Sequence, residues 1–285
     1  MDPRLNEPSA KKILKSLNIR PKKSLGQSFL QELSLLKEPL QFLELGPGVN
    51  VLEIGAGIGN ATLKILDHGA RVTALEVDNR FAPILSLIQK SYPNVRFLFQ
   101  DAKAVSWDDI FQGESYSVFG NIPYYITGPI LEKVLLGEKN WKKAVLLLQE
   151  EVSERLLAPP GLKSYSSLTI IANFKARLSR GPKVSKSCFF PAPKVDSIFI
   201  YMERKQTPDF PVLNESFFLK FVRGAFQERR KTLRNNLLRM FPSLSKETLS
   251  SIEETTGLTL TKRSESLSLK DFCLLANTLL GYLNE

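Results

Sequence analysis

The 285-residue chain carries 39 Lys and Arg against 29 Asp and Glu, a formal net charge of +10, and 43% of its residues are hydrophobic. That apolar fraction excludes a disordered basic tail and leaves chain enough for one large or two modest domains with a buried core. Two cysteines, Cys188 and Cys273, and the single His68 exclude a disulfide framework and a Cys- or His-rich metal centre, and no apolar run reaches the roughly 18 residues of a membrane span.

The chain opens on a basic segment. Residues 1–24 hold Arg4, Lys11, Lys12, Lys15, Arg20, Lys22 and Lys23 against Asp2 and Glu7, a net of +5. The first residues, MDPRLNEPSAKK, lack the apolar core of a signal peptide, so a cytoplasmic protein is expected. Leu45-Gly46-Pro47-Gly48 reads as a loop, because strand-like residues rather than a helix follow it. Val51–Ile54 reads as the first strand, followed by the turn Gly55-Ala56-Gly57-Ile58-Gly59 and a helix from Asn60 to about His68, with Gly69 as its stop signal. Arg71–Val77 is the second strand, Asp78–Lys90 the second helix and Val95–Gln100 the third strand. Tyr116–Gly120 and Lys143–Gln149 are the fourth and fifth. This alternation predicts right-handed crossovers and a mostly parallel sheet with helices on both faces. Lys194–Met202 is expected to pair with a strand near Phe174–Leu178 as an antiparallel hairpin at the sheet edge.

A polar cluster at Glu203–Pro211 marks a domain boundary, dividing residues 1–205 from a helical domain over 206–285. In the latter, Phe217, Phe218, Phe221, Val222 and Phe226 form a helical stripe that Leu233, Leu237 and Leu238 continue, which reads as core packing. Residues 220–240 also hold Lys220, Arg223, Arg229, Arg230, Lys231, Arg234 and Arg239 against Glu228, a net of +6, which leaves the rest of the chain close to neutral. Charge concentrated in this way suits a polyanion such as nucleic acid, the plain alternative being two solvated helical faces. Arg229, Arg230, Lys231 and Arg234 are the best candidates for phosphate contacts. His68 reads as a helix-end surface residue, and Cys188 and Cys273 as unreactive positions.

Only the turn Gly55–Gly59 has both a strand before it and a helix after it, the setting in which a glycine turn cradles a nucleotide. Glu76 closes the next strand, 21 residues after Gly55, where a carboxylate can accept from both ribose hydroxyls. A dinucleotide and S-adenosylmethionine (SAM) both fit this layout. The Gly-x-Gly-x-Gly spacing favours SAM, as does Asp101 at the end of the third strand, where it can accept from an adenine amino group. The decisive feature is Asn121-Ile122-Pro123-Tyr124 at the end of the fourth strand. An exocyclic base amine is a poor nucleophile because its lone pair is delocalised into the ring. Two acceptors on its N–H bonds, the Asn121 side-chain carbonyl and the backbone carbonyl of Ile122 or Pro123, would pyramidalise the nitrogen towards a methyl donor, with Pro123 fixing φ. Tyr124 offers a face for a flipped-out base, worth about 1–3 kcal/mol. No general base is needed, since the methylated amine loses its proton to solvent, and the rate gain would come from proximity and electrostatic placement. An NAD-dependent oxidoreductase would need a hydride-transfer acid/base that this chain does not offer.

Five stretches in order resemble the KsgA/RsmA family of ribosomal RNA adenine dimethyltransferases: Lys22–Leu30, Glu53–Gly59, Phe119–Tyr124, Phe189–Ser197 and Phe226–Leu237. The likeness implies an α/β, Rossmann-like class I SAM-dependent methyltransferase fold, its seven-stranded sheet mostly parallel, with a smaller all-α C-terminal domain that binds rRNA. It implies that Gln27, Ser28 and Leu30 contact the methionine end of SAM, and that Gly55, Gly57, Glu76, Asp101 and Asn121 complete the cofactor site. Asn121, Pro123 and Tyr124 would hold the target adenine, Phe189 would stack on its second face, and Lys22 and Lys23 would join the C-terminal cations on RNA. The implied reaction converts two adjacent adenosines near the 3′ end of small-subunit (16S) rRNA to N6,N6-dimethyladenosine, with four SAM molecules used. The implied partner is an immature small ribosomal subunit, and the implied enzyme a monomer. Ser28 stands where Asn is usual, Ser166-Ser167 follow Tyr165 where Gly-Arg is common, and Tyr125 is often Asn. An Erm-type enzyme acting on 23S rRNA would share the glycine and Asn-Ile-Pro-Tyr motifs, but Pro191–Ser197 and Arg229–Arg234 favour the KsgA type. A ribosome-assembly or transcription factor keeping only the fold is opposed by the intact Asn121, Pro123 and Tyr124.

Overall fold

Short apolar runs form strands and the amphipathic segments between them form helices in the computed structural model, which describes residues 9–284. Asp2, Arg4 and Glu7 of the basic N-terminal segment lie outside the described residues. The strands are β1 (Phe29–Leu30), β2 (Asn50–Ile54), β3 (Arg71–Leu75), β4 (Val95–Leu98), β5 (Tyr116–Asn121), β6 (Trp141–Gln149), β7 (Ala176–Val184), β8 (Phe189–Phe190) and β9 (Ser197–Arg204). The helices are α1 (Ala10–Ser16), α2 (Lys37–Phe42), α3 (Asn60–Leu66), α4 (Ala82–Ser91), α5 (Trp107–Ile110), α6 (Thr127–Glu132), α7 (Glu150–Leu156), α8 (Ser167–Lys175), α9 (Glu215–Ala225), α10 (Leu233–Met240), α11 (Lys246–Thr256) and α12 (Leu269–Asn284).

The chain divides into two compact units. One runs to Ser153 and resumes over Ser179–Arg204; the other comprises Glu154–Leu178 and the chain from Lys205 onward. A single break near residue 205 therefore does not describe it, because residues 154–178 belong with the C-terminal helices. The reason is aromatic packing: Phe174 of α8 lies 4.6 Å from Phe218 of α9, and Tyr165 lies 6.2 Å from Phe226.

The first unit is built on a seven-stranded sheet of order β4-β3-β2-β5-β6-β9-β7. β2 runs parallel to β3 and β5, β3 to β4 and β5 to β6, whereas β9 runs antiparallel to β6. Val51, Leu52 and Ala144–Leu148 are fully buried, as expected of strands covered on both faces. Strand order reverses between β2 and β5, and a crevice at the carboxyl ends of such a pair is where α/β sheets bind ligands. The helix expected from Asp78 begins instead as a 3₁₀ turn at Asn79–Phe81, with α4 following from Ala82. Phe174 lies at the end of α8 rather than in a strand, and β7 runs on from Ala176 to the sheet edge. The chain between β7 and β9 is not a simple hairpin, because β8 leaves the sheet to pair antiparallel with β1.

In the second unit Phe218, Phe221, Phe226, Leu233, Leu237 and Phe272 form a buried core. The helical stripe that runs from Phe217 to Leu238 is divided between two helices. α9 ends at Ala225, whose carbonyl accepts from Asn236 Nδ2 (2.9 Å) and Ser264 Oγ (2.6 Å). α10 starts afresh at Leu233, with the Thr232 hydroxyl accepting from the Asn235 N–H at 3.3 Å. The run Arg229–Lys231 is thus on a turn. Among the described residues no helix is long and apolar enough to cross a membrane.

Candidate cofactor and base site

The cleft begins with the glycine turn after β2. Gly55 and Ala56 donate to the Leu75 carbonyl at 2.8 and 3.1 Å, which ties the turn to the end of β3. Gly59 has φ +83°, and a Cβ there would sit 2.3 Å from Ile88 Cδ1, so only glycine fits where α3 leaves the turn. The Gly57 N–H donates to Glu76 Oε2 at 2.7 Å, and the N–H groups of Val77 and Asp78 donate to Oε1 at 2.9 and 2.8 Å. Those bonds fix the carboxyl group yet leave it lone pairs for further donors. Burial lifts its pKa above the usual carboxylate range, against the pull of the backbone donors.

Glu53, not singled out from the sequence, stands beside it. It is buried in β2, accepts from Thr62 Oγ1 at 2.5 Å and lines the same cleft. Burial pushes its pKa up to about 8. A Glu inside an otherwise apolar strand was the available signal. Asp101 is half-exposed at the rim, with its carboxylate 3.3 Å from Lys103 Nζ.

The N-terminal segment closes the opposite wall. β1 pairs with β8, placing Leu30 opposite Phe189 and Phe29 opposite Phe190. Ser28 Oγ donates to the Pro191 carbonyl (2.8 Å), and the Ser28 carbonyl accepts from Asn121 Nδ2 (2.9 Å). Gln27 has both ends of its amide engaged: Nε2 donates to Asp78 Oδ2 and Oε1 accepts from the Lys22 N–H, each at 2.8 Å. Gln27, Ser28, Leu30, Gly55, Gly57, Glu76, Asp101, Asn121, Pro123, Tyr124 and Phe189 all line this one cleft. Its space, open mouth included, is about 1240 Å³.

With its Nδ2 committed to Ser28, Asn121 has its carbonyl Oδ1 left to accept an N–H. The Pro123 carbonyl accepts from the Ile126 N–H at 3.0 Å, so Ile122 supplies the better second acceptor. The Tyr124 hydroxyl lies 3.3 Å from Ser197 Oγ and 3.4 Å from the Val195 carbonyl, which pins the ring.

The cations do not behave alike. Lys22 and Lys23 are exposed, with Lys22 Nζ 3.9 Å from Asp78. Arg230 and Lys231 are exposed on the turn after α9. Arg229 instead donates to the carbonyls of Lys163 (2.5 Å) and Tyr165 (3.2 Å). Arg234 is paired with Glu253, so it holds α10 to α11 rather than facing outward as a free phosphate contact. A further basic stretch escaped the sequence-level charge count because acids elsewhere mask it. Residues 175–194 hold Lys175, Arg177, Arg180, Lys183, Lys186 and Lys194 and no acid, with Arg180, Lys186 and Lys194 exposed in the first unit.

A nucleotide cradle at a sheet switch point, with acceptors for a base amine beside it, is the arrangement of an α/β methyltransferase, and the chain is one. A family profile described as ribosomal RNA adenine dimethylase matches residues 18–279, and the chain belongs to that family. It is 36% identical over 275 residues to the ribosomal RNA small subunit methyltransferase A of Clostridium perfringens, covering 96% of each chain. It is 36% identical over 280 residues to the protein of that name from Bacillus cytotoxicus, covering 95% of this chain and 96% of the other. A crystal structure of a dimethyladenosine transferase from Plasmodium falciparum matches with a TM-score of 0.77 at 26% identity, covering 90% of this chain and 98% of that one. The 23S rRNA methyltransferase ErmE shares the fold, with a TM-score of 0.70 at 24% identity over 88% and 99% of the two chains.

Proposed function

We propose that the protein dimethylates the N6 amines of two adjacent adenosines near the 3′ end of small-subunit rRNA, with SAM as methyl donor. Its partner on this reading is an immature small ribosomal subunit in the cytoplasm, on which it acts as a monomer. The observation that carries the reading is Asn121, whose amide is held by Ser28 so that its carbonyl oxygen is left for a base amine. SAM fits the chain's own residues: nothing lies within 4 Å of where a Gly55 Cβ would stand, and Glu76 and Asp101 offer acceptors for a ligand bearing hydroxyl and amino groups.

SAM, when bound, supplies an electrophilic methyl group on a sulfonium. Glu76 accepts from ribose hydroxyls and Asp101 from an adenine amino group. Asn121 Oδ1 and the Ile122 carbonyl accept the two N–H bonds of the target amine and turn its lone pair towards the donor. Tyr124 and Phe189 stack on the flipped base, and the enzyme contributes proximity and preorganised acceptors rather than a general base. Lys22, Lys23, Arg230, Lys231, Arg180, Lys186 and Lys194 contact phosphates.

The test is to incubate undermethylated small subunits with tritiated SAM and analyse the nucleosides, alongside primer extension on both rRNAs from a deletion strain. Label in N6,N6-dimethyladenosine of the small-subunit rRNA is expected. Loss of a large-subunit mark instead would overturn the reading.

A further inference from the structure

Asp78 is a buried carboxylate that neither binds the base nor lies among the expected cofactor contacts. It accepts from Gln27 Nε2 (2.8 Å) and from Arg80 Nε (2.8 Å) and Nη2 (2.5 Å), and its own N–H donates to Glu76 Oε1 (2.8 Å). Arg80 Nη1 reaches on to the Arg20 carbonyl at 3.0 Å, while Gln27 Oε1 takes the Lys22 N–H at 2.8 Å. One Asp–Arg pair therefore grips the chain at Arg20 and again at Gln27. One residue later, the Ser28 carbonyl is held by Asn121.

Asp78 follows β3 and Asn121 ends β5, and in the sheet β2 lies between those strands. The segment from Arg20 to Ser28 thus reaches from the carboxyl end of β3 to that of β5, across the end of β2 where the glycine turn sits. Gly26, at φ +57°, is pressed onto the base turn, a Cβ there standing 3.3 Å from Pro123 Cβ.

We propose that Asp78 is a positioning residue that latches the Arg20–Ser28 segment as a strap across the cofactor cleft, so that SAM affinity and exchange depend on the Gln27–Asp78–Arg80 ties. The inference rests on the SAM-dependent function proposed above. Opening the strap takes Gln27 Nε2 from a buried carboxylate and the Arg20 carbonyl from Arg80, which makes the closed strap the favoured state. Because the Asp78 N–H also holds Glu76, strap and ribose acceptor move together. Repeated methyl transfer requires the strap to open at each cofactor exchange.

The experiment measures SAM affinity by calorimetry and amide hydrogen exchange over residues 20–28, with KM for SAM and kcat, for wild type, Asp78→Asn, Asp78→Ala and Gln27→Ala. Loss of a charge-assisted hydrogen bond predicts SAM binding about tenfold weaker for Asp78→Ala, with faster exchange in the strap and a larger effect on KM than on kcat. Asp78→Asn keeps an acceptor for Gln27 and falls between. The double variant Asp78→Ala/Gln27→Ala loses less than the sum of the two singles, since the Gln27–Asp78 tie is common to both. A folded Asp78→Ala protein with SAM affinity within about twofold of wild type and unchanged strap exchange overturns the proposal. If Asp78→Ala does not fold, unchanged strap exchange in Gln27→Ala overturns it equally. A wild-type protein that fails to bind SAM removes the function and the latch together, whereas a wild type that binds while the variants bind equally removes the latch alone.

Discussion

The Asn121 Nδ2 is given to the Ser28 carbonyl, and on the proposed function Oδ1 accepts from the base amine. Asn121→Ala is therefore expected to abolish tritium transfer from SAM while leaving RNA affinity in filter binding nearly unchanged; full activity would refute the assigned role. Glu53 makes a separate prediction in pH. Its folded pKa of about 8 lies above that of an unfolded carboxyl, so its contribution is complete in acid and is lost as pH rises through 8. Glu53→Gln keeps an acceptor for Thr62 and cannot ionise. The melting temperature of the variant should gain on wild type steadily from about pH 5 to 8 and level off above that. A pH-independent difference would mean that Glu53 is not the buried acid described.

Among the elements, the break between α9 and α10 depends on a cap. Thr232→Ala removes the acceptor for the Asn235 N–H and should lower stability by about 1 kcal/mol in denaturant unfolding. An unchanged midpoint would show that the turn is held by Asn236 and Ser264 alone. The glycine turn, Glu76, Asp101 and the Asn-Ile-Pro-Tyr turn were legible in the sequence because each sits where a strand ends, and strand ends follow from local apolar patterning. The interrupted helix was not, because Leu233 and Leu237 continue the buried stripe of Phe218, Phe221 and Phe226 and the apolar pattern does not report the intervening turn. β1 and β8 were equally hidden, since two-residue strands carry no period and their partners are remote. Asp78 read as the start of a helix, whereas its tie to Gln27 arises only once the N-terminal segment folds back.

Across the molecule, the net charge of +10 separates into cations that face outward and cations that hold the fold. Reversing Arg230 and Lys231 to Glu should weaken RNA binding and flatten the dependence of log K on log salt by about one to two. Arg234→Ala should instead lower thermal stability by freeing Glu253, with little change in that slope. An unchanged slope after the double reversal would count against an RNA contact at this turn. The pairing of β1 with β8 also sets a clock on biosynthesis. Phe29 must wait for Phe190 to be made before the wall they share can close. At roughly 5–20 residues per second that delay is on the order of ten seconds, during which Phe29 and Leu30 have no partner strand. A protein proposed to finish ribosomes thus completes its own binding cleft only after most of it has left one.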